Sequence, residues 1–447
     1  MIAVTRARVL TFNRPLRVTR TAIVAFVLCN VLAVQVLWTA AGPARNLTGT
    51  IGRLLGLHLA LAMALQLLLV ARLPVVDRAY GMDRLTGWHR WTGHAVCWLA
   101  LAHPAVVLLG FARYDGVSLP AAAAALAGRP PVLLGVIASG LIVVVVALSV
   151  RAARRRLSYE AWHAVHLLVY LVVLLGVLHQ VYEGAAFRAH PVARGYWWGL
   201  WAFAIGALLA GRLVVPMLRN ARHRLRVAAV VAESDDTVSV HITGRALERL
   251  PARAGQFFLW RFPGHQRWWQ VNPFSLSAAP NGRSLRITAK GVGATSVRLR
   301  DLPVGARVYA EGPYGAFTVA HRQRAATVLI AGGIGVTPIR ALLEDPDLTG
   351  HVVVLYRVRS ARDAVLLGEL RALADARRAR LHLLAGRSAS GYRPFTPDRL
   401  LSLVPDITAR DVYVCGPDAM TTAVLASLRR LRVPSRQVHA ERFRLAG

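Results

Sequence analysis

The sequence predicts a multidomain membrane protein: a six-helix transmembrane bundle, then a small antiparallel β-barrel, then an α/β domain with a parallel sheet. Three observations predict it. The chain has 447 residues, 55% of them hydrophobic, and its long apolar runs all fall before residue 217. The remainder alternates as globular chains do, first in short strands and then in strand–helix units. The arginines of the first half collect in alternate gaps between the apolar runs. A chain this long holds two or three domains. The expected divisions are a cytoplasmic leader at 1–20, a transmembrane domain at 21–218, a barrel domain at 222–322 and an α/β domain at 323–447.

The net charge of +33 comes almost wholly from arginine, since Lys290 is the only lysine. Nucleic-acid-binding proteins carry such a charge. Arginines placed between apolar runs suit cytoplasmic loops instead, and the nucleic-acid class is set aside. Cys29, Cys97 and Cys415 are too scattered for a disulfide framework. They are also fewer than the four thiolates of an all-cysteine iron–sulfur cluster. The first apolar run follows an arginine-bearing leader of 20 residues, so it reads as a retained anchor, not a cleaved signal.

Six segments are long enough to cross a hydrocarbon core of about 30 Å. They are 21–42, 51–71, 88–111, 131–150, 160–181 and 196–216. Arg6, Arg8, Arg14, Arg17 and Arg20 precede the first. Arg72, Arg78 and Arg84 lie between the second and third. Arg151, Arg154, Arg155 and Arg156 lie between the fourth and fifth, and Arg219, Arg222, Arg224 and Arg226 follow the sixth. The alternate loops hold only Arg45, then Arg113 and Arg129, then Arg188 and Arg194. The positive-inside rule therefore places both termini and the globular half in the cytoplasm.

Ionisable side chains inside a span are costly and mark function. The third span contains His89, His94 and His103; the fifth contains His163, His166 and His179. His89 and His103 are 14 residues apart, which leaves them about 40° apart on one helix face and about 21 Å apart along the axis. That spacing suits two haems stacked across the bilayer, each held by one imidazole from each helix. His166 and His179 are 13 apart, with a similar rise but an angular offset of about 140°. A local irregularity in the fifth helix is needed to aim both inward. Orientation pairs His89 with His166 in an inner site and His103 with His179 in an outer one. His94 and His163 are read as serving packing or haem propionates, and His58 is unassigned. This pattern resembles the ferric reductase transmembrane domain shared by ferric reductases and NADPH oxidases, across all six spans.

From residue 224 short strands alternate with turns. In WWQVNPFSLSAAP, Phe274 can stack on a flavin ring and Ser275 can hydrogen-bond near its reactive nitrogen. In KGVGATS, which opens on Lys290, Gly293 and Ser296 can begin a helix whose amides receive a pyrophosphate. These stretches resemble the two flavin signatures of the ferredoxin–NADP reductase superfamily. The first has Asn272, before Pro273, where arginine or histidine is usual; an asparagine amide can still donate a hydrogen bond. Glu311 to Gly315 also fits the superfamily.

ATVLIAGGIGVTPIRALLE reads as strand, glycine turn, helix. Gly332, Gly333 and Gly335 make the turn, and Thr337 and Pro338 begin the helix. HVVVLYRVR, ARLHLLAG and DVYVCGP supply further strands of a Rossmann-like NAD(P) domain. Cys415, Gly416 and Pro417 match the superfamily's Cys-Gly-Pro beside the nicotinamide. Phe443 falls in a terminal segment that resembles the one placing an aromatic beside the flavin. Arg359 and Arg362, after the second strand, lean toward the 2′-phosphate of NADPH over NADH.

The resemblance implies FAD, NAD(P)H and two b-type haems as cofactors. It implies electron transfer from cytosolic NAD(P)H to an extracytoplasmic acceptor such as ferric iron or oxygen, at the cell membrane. Ser275, Cys415 and Phe443 would serve at the flavin–nicotinamide junction; His89, His103, His166 and His179 would ligate iron. No EF-hand calcium loop is present. A membrane-anchored flavin reductase without haem is the alternative, as is a haem-bearing subunit feeding a quinone or a partner protein.

Overall fold

The structure is a computed structural model that describes residues 2–150, 156–157, 159–185, 190–265, 271–291, 294–387 and 391–442. Arg151, Arg154, Arg155, Arg188, Gly293 and Phe443 lie outside the described residues. The chain divides into two compact units: Arg20–Leu73 with Asp83–Arg212, and Pro74–Met82 with Leu213–Gly447 and Met1–Thr19.

The first unit is helical. Its elements are α1 (Ile2–Ala40) from Arg20 onward, α2 (Leu47–Val70), α4 (Met82–Asp115) from Asp83 onward, α5 (Leu119–Ala127), α6 (Pro130–Ser149), α7 (Tyr159–His166), α8 (Leu168–Glu183) and α9 (Pro191–Leu209), while α3 (Pro74–Tyr80) belongs to the other unit. Six stretches among the described residues are long and apolar enough to cross a membrane, and each predicted span falls on one. The sixth, Pro191–His223, exceeds the predicted 196–216 at both ends, because its flanks, which carry Arg194, Arg219 and Arg222, are helical without being apolar.

Small residues let these helices approach closely. A Cβ on Gly110 of α4 would lie 2.9 Å from the Gly49 nitrogen of α2, and one on Gly52 would lie 2.9 Å from the Val107 side chain. Asn46 seals that end: it accepts from the Gly49 amide at 2.7 Å and donates to the Gly110 carbonyl at 2.7 Å. Trp197 and Trp201 of α9 are fully buried in the bundle core, with Ala60 and Ala64 of α2. The Trp201 indole donates to Gln180 of α8 at 3.1 Å.

The fifth span is not one continuous helix. α7 ends at His166 and α8 starts at Leu168. At the break the Tyr170 amide bonds back three residues to the Leu167 carbonyl at 3.1 Å, a tighter turn than the α-helical four.

The second unit opens with antiparallel strands: β1 (Arg226–Ser234), β2 (Thr237–Thr243), β3 (Phe257–Arg261), β4 (Asn272–Ser275), β5 (Ser284–Lys290) and β6 (Tyr309–Tyr314). They form two three-stranded sheets, ordered β1-β2-β5 and β4-β3-β6, bridged where Leu276 pairs with Ile287. Phe258, Trp260, Phe262, Ile242 and Ile287 fill the core between them. β4 was not predicted as a strand. It carries Pro273, which an edge strand tolerates because one side needs no amide donor.

A parallel five-stranded sheet follows, ordered β11-β10-β7-β8-β9. Its strands are β7 (Thr327–Gly332), β8 (Val352–Val358), β9 (Arg380–Ala385), β10 (Asp411–Gly416) and β11 (Val438–Arg442). β7, β8 and β10 are buried along their whole length, as strands covered on both faces must be. Helices Val336–Glu344, Leu367–Ala376, Pro397–Leu403 and Asp418–Arg430 connect them. β11 was also missed, since VHAER is short and polar for a strand.

The loop between spans two and three contributes to this unit. Asp77 on α3 is 1% exposed, and its carboxylate accepts from the Gly315 amide at 2.9 Å, just past β6. Gly81, with φ of +82°, follows α3, and a Cβ there would sit 3.1 Å from Ala316.

Candidate redox sites

In the bundle, the break at Leu167 removes the angular misfit and all four predicted imidazoles come together in pairs. The ring centres of His89 and His166 lie 6.1 Å apart with planes at 68°. Those of His103 and His179 lie 6.3 Å apart at 67°. Two imidazoles binding one iron from opposite sides put their ring centres roughly 6.3 Å apart, from about 2 Å per metal–nitrogen bond and about 1.1 Å from nitrogen to ring centre. On that measure the residues of both pairs are spaced as two imidazoles that would share one iron.

The hydrogen bonds of the outer pair fit as well. His103 Nδ1 is 2.9 Å from the Gly52 carbonyl and His179 Nδ1 is 2.8 Å from the Pro131 carbonyl. A carbonyl only accepts, so each Nδ1 carries the hydrogen and each Nε2 keeps its lone pair. Two glycines clear the space for these rings. A Cβ on Gly56 would lie 2.7 Å from the His103 ring, and one on Gly135 would lie 2.9 Å from His179.

The inner pair is held differently. The Nδ1 atoms of His89 and His166 are buried and have no hydrogen-bond partner among the described residues. The His166 ring instead stacks on Trp162, with centres 5.0 Å apart and planes at 27°.

The remaining histidines stand apart. His94 and His163 are exposed in the bundle, and His94 Nδ1 bonds the Arg90 carbonyl of its own helix at 2.7 Å. His58 Nδ1 donates to the Leu54 carbonyl at 2.9 Å, which leaves Nε2 to accept from Gln35 at 3.2 Å. Sequence reasoning missed Gly52, Gly56, Gly135 and Trp162. The glycines lie on other spans than the histidines they face, so no local pattern marks them, whereas the i, i+4 spacing of Trp162 and His166 is a signal for the stack.

In the barrel, β4 carries the flavin motif at the sheet edge. Ser275 is 3% exposed, and its hydroxyl has no hydrogen-bond partner among the described residues. A buried hydroxyl without a partner fits a ligand that supplies one. Phe274 is half-buried and Pro273 exposed. The Asn272 amide donates to the Trp260 carbonyl at 3.3 Å, so this side chain ties β4 to β3. Lys290 pairs with Asp236 at 2.9 Å, and the hydrogen bond from Lys290 holds the Asp236 carboxyl below its usual range. Ser296 sits in a single helical turn, Ala294–Val297.

In the parallel sheet, β7 and β10 are neighbours whose crossovers leave in opposite directions along the sheet. Their C-terminal ends form the crevice where such folds bind nucleotides. The glycine turn and the Cys-Gly-Pro segment therefore lie side by side. A Cβ on Gly335 would collide with the Cys415 carbonyl, and one on Gly332 would collide with Met420. Gly333 takes a φ of +52°, and nothing lies within 4 Å of its Cβ direction. Two glycines thus permit close approach, and the third makes the turn and keeps its outer face open. Thr337 Oγ1 donates to the Ile334 carbonyl at 3.1 Å and locks the turn to the helix start. Cys415 is fully buried, and burial pushes its thiol well above the usual range, with the Glu441 charge adding to it. The side chain is a neutral thiol at physiological pH. Arg359 and Arg362 are exposed beyond β8. Arg357, beside them, is buried against the Leu384 carbonyl at 3.3 Å and faces Tyr392, so it is structural.

A charge cluster joins barrel to sheet within this unit. Arg286 of β5 forks onto Glu369 at 2.8 and 3.0 Å, and Arg340 reaches the same carboxylate at 2.8 Å. Burial pulls the Glu369 carboxyl upward, but the two guanidiniums outweigh it and hold the group below its usual range.

Residues 55–177 match the ferric reductase like transmembrane component, and residues 329–425 match the oxidoreductase NAD-binding domain. Ferredoxin–NADP reductase B of Sorangium cellulosum is 33% identical over 187 residues, covering 38% of this chain and 77% of that protein. The ferredoxin reductase component of a 3-ketosteroid-9-alpha-monooxygenase from Mycobacterium tuberculosis is 31% identical over 237 residues, covering 49% of this chain and 65% of that one. A solved FAD/NAD-binding domain of a nitric oxide dioxygenase from Vibrio cholerae is 26% identical, with a TM-score of 0.42, covering 50% of this chain and 99% of that one. The protein is a membrane-embedded, NAD(P)H-dependent flavin oxidoreductase. Its chain belongs to the ferredoxin–NADP reductase family through its C-terminal half, with a ferric reductase-like transmembrane domain ahead of it.

Proposed function

We propose that the protein carries electrons from cytosolic NAD(P)H through FAD and two b-type haems to an acceptor on the far side of the cell membrane, ferric iron or oxygen. The observation that carries this reading is the pair of imidazole couples at 6.1 and 6.3 Å, in one chain with flavin and nicotinamide motifs. His89 with His166 would hold the inner haem and His103 with His179 the outer one. When bound, the cofactors supply hydride and single-electron chemistry. The chain's own residues bind and orient. The Ser275 hydroxyl is available to a flavin, Phe274 to its ring, and Cys415 beside Gly416 and Pro417 to the nicotinamide. Gly332, Gly333, Gly335, Thr337 and Pro338 shape the pyrophosphate turn, and Gly293 and Ser296 would receive the flavin's phosphates. Arg359 and Arg362 favour NADPH. Phe443 would cover the flavin.

The arginine distribution supports six spans with both termini and the reductase module in the cytoplasm. The proposed domains are the leader 1–20, the haem domain 21–218, the FAD domain 222–322 and the NAD(P) domain 323–447, with Pro74–Met82 packing alongside the last two.

The test is the purified protein oxidising NADPH with ferric chelate or oxygen as acceptor, followed by its reduced-minus-oxidised spectrum. Sharp b-type bands that appear on NADPH addition are expected. Iron reduction that superoxide dismutase abolishes would assign oxygen as the direct acceptor. A protein that oxidises NADPH but shows no b-type bands, even with dithionite, would be a haem-free anchored flavin reductase.

A further inference from the structure

We propose that Trp162 is the positioning residue of the inner imidazole pair, fixing the His166 ring by stacking where the outer rings are fixed by backbone carbonyls. The inference rests on the haem reading above and deepens it.

An iron ligand needs its ring plane and its lone pair held in place. The Gly52 and Pro131 carbonyls do this for His103 and His179. No such carbonyl bond reaches the buried Nδ1 atom of either inner ring among the described residues. His166 is also the last residue of an eight-residue helix, directly before the break at Leu167. Trp162 lies one turn earlier on the same face, and its ring covers the His166 face at 5.0 Å. The indole is itself anchored. Its Nε1 donates to the Ser149 hydroxyl at 3.2 Å, and that hydroxyl donates to the Val145 carbonyl at 2.7 Å. A chain of contacts from the end of the fourth span thus reaches the imidazole without touching its Nε2. A His166 ring that left the stack would lose its contact with the Trp162 face.

The experiment compares full-length wild-type protein with Trp162→Leu, Trp162→Phe and Ser149→Ala in detergent. Haem loss to excess apomyoglobin and a two-component redox titration are the readouts. The inner component is identified as the one missing in His89→Leu. Trp162→Leu is expected to lose the inner haem roughly 10-fold faster, the lower end of supporting-residue effects on metal sites, and to shift its midpoint while the outer component stays put. Trp162→Phe should restore the wild-type rate, because it keeps a stacking ring. Ser149→Ala should fall between, and it carries the same expectation if Trp162→Leu fails to fold. Wild-type loss rates and midpoints in both Trp162→Leu and Ser149→Ala would overturn the inference alone. A wild-type protein without b-type bands would overturn the haem reading and this inference with it.

Discussion

The outer and inner imidazole pairs have nearly the same geometry and different causes. Ring separations are 6.3 and 6.1 Å, and interplanar angles are 67° and 68°. The outer pair is set by the main chain: two carbonyls fix the tautomers, and two glycines admit the rings. The inner pair is set by side chains, with an indole against one imidazole and no hydrogen bond to either Nδ1 among the described residues. Backbone carbonyls cannot be removed by substitution, whereas a stacking indole can. The outer site is therefore built to be constant and the inner site to be adjustable. Hydrogen bonding at Nδ1 also raises imidazole basicity, so the two pairs differ electronically as well as mechanically.

The largest test is removal of single imidazoles. His103→Leu or His179→Leu should abolish about half of the reduced b-type band, and His89→Leu or His166→Leu the other half. Difference spectra and haem-to-protein ratios check this. Loss of both halves on any single change would mean that the pairs are not separate sites.

The next is the glycine pair. An alanine in a helix is ordinarily more stable than glycine by about 1 kcal/mol. At Gly56 and Gly135 the added methyl would press on an imidazole at 2.7 and 2.9 Å. Gly56→Ala and Gly135→Ala should weaken retention of the outer haem by roughly 10-fold and leave the inner one unchanged. Gly140, with open space around its Cβ direction, is the control. Equal haem loss rates in all three alanine variants would show that the ring contacts carry no weight.

The smallest effect is expected at Gln66. Its amide donates to the His89 backbone carbonyl at 3.0 Å, a contact to the main chain and not to the ring. Gln66→Leu should broaden or slightly shift the inner component in a redox titration without releasing haem. A shift confined to the outer component would contradict the inner placement of His89.

Much of this was legible in the sequence for physical reasons. Apolar runs report span number. Histidine spacing even required a fault in the fifth span, because 13 residues cannot place two side chains on one helix face. The position of the fault at Leu167 was not readable, since no proline or glycine marks it. The hydrogen-bond partners of His103 and His179 were hidden because they are backbone carbonyls, which have no letter of their own. β4 and β11 escaped notice because edge strands tolerate proline and polar residues. The bond from the Asn272 amide to the Trp260 carbonyl was not legible either, because it is a contact across strands that no local pattern announces.

Asp77 carries a practical consequence. It is separated from Gly315 by 238 positions and reaches it from a segment flanked by two hydrophobic helices. A soluble reductase prepared by starting the chain at Leu213 would lack that carboxylate. Its Gly315 amide would then face the medium or collapse onto a neighbour. Assays on such a truncated preparation would report on a barrel that has lost the segment packed at the end of β6, so hydride-transfer rates should be measured on the intact polypeptide or with Pro74–Met82 grafted back.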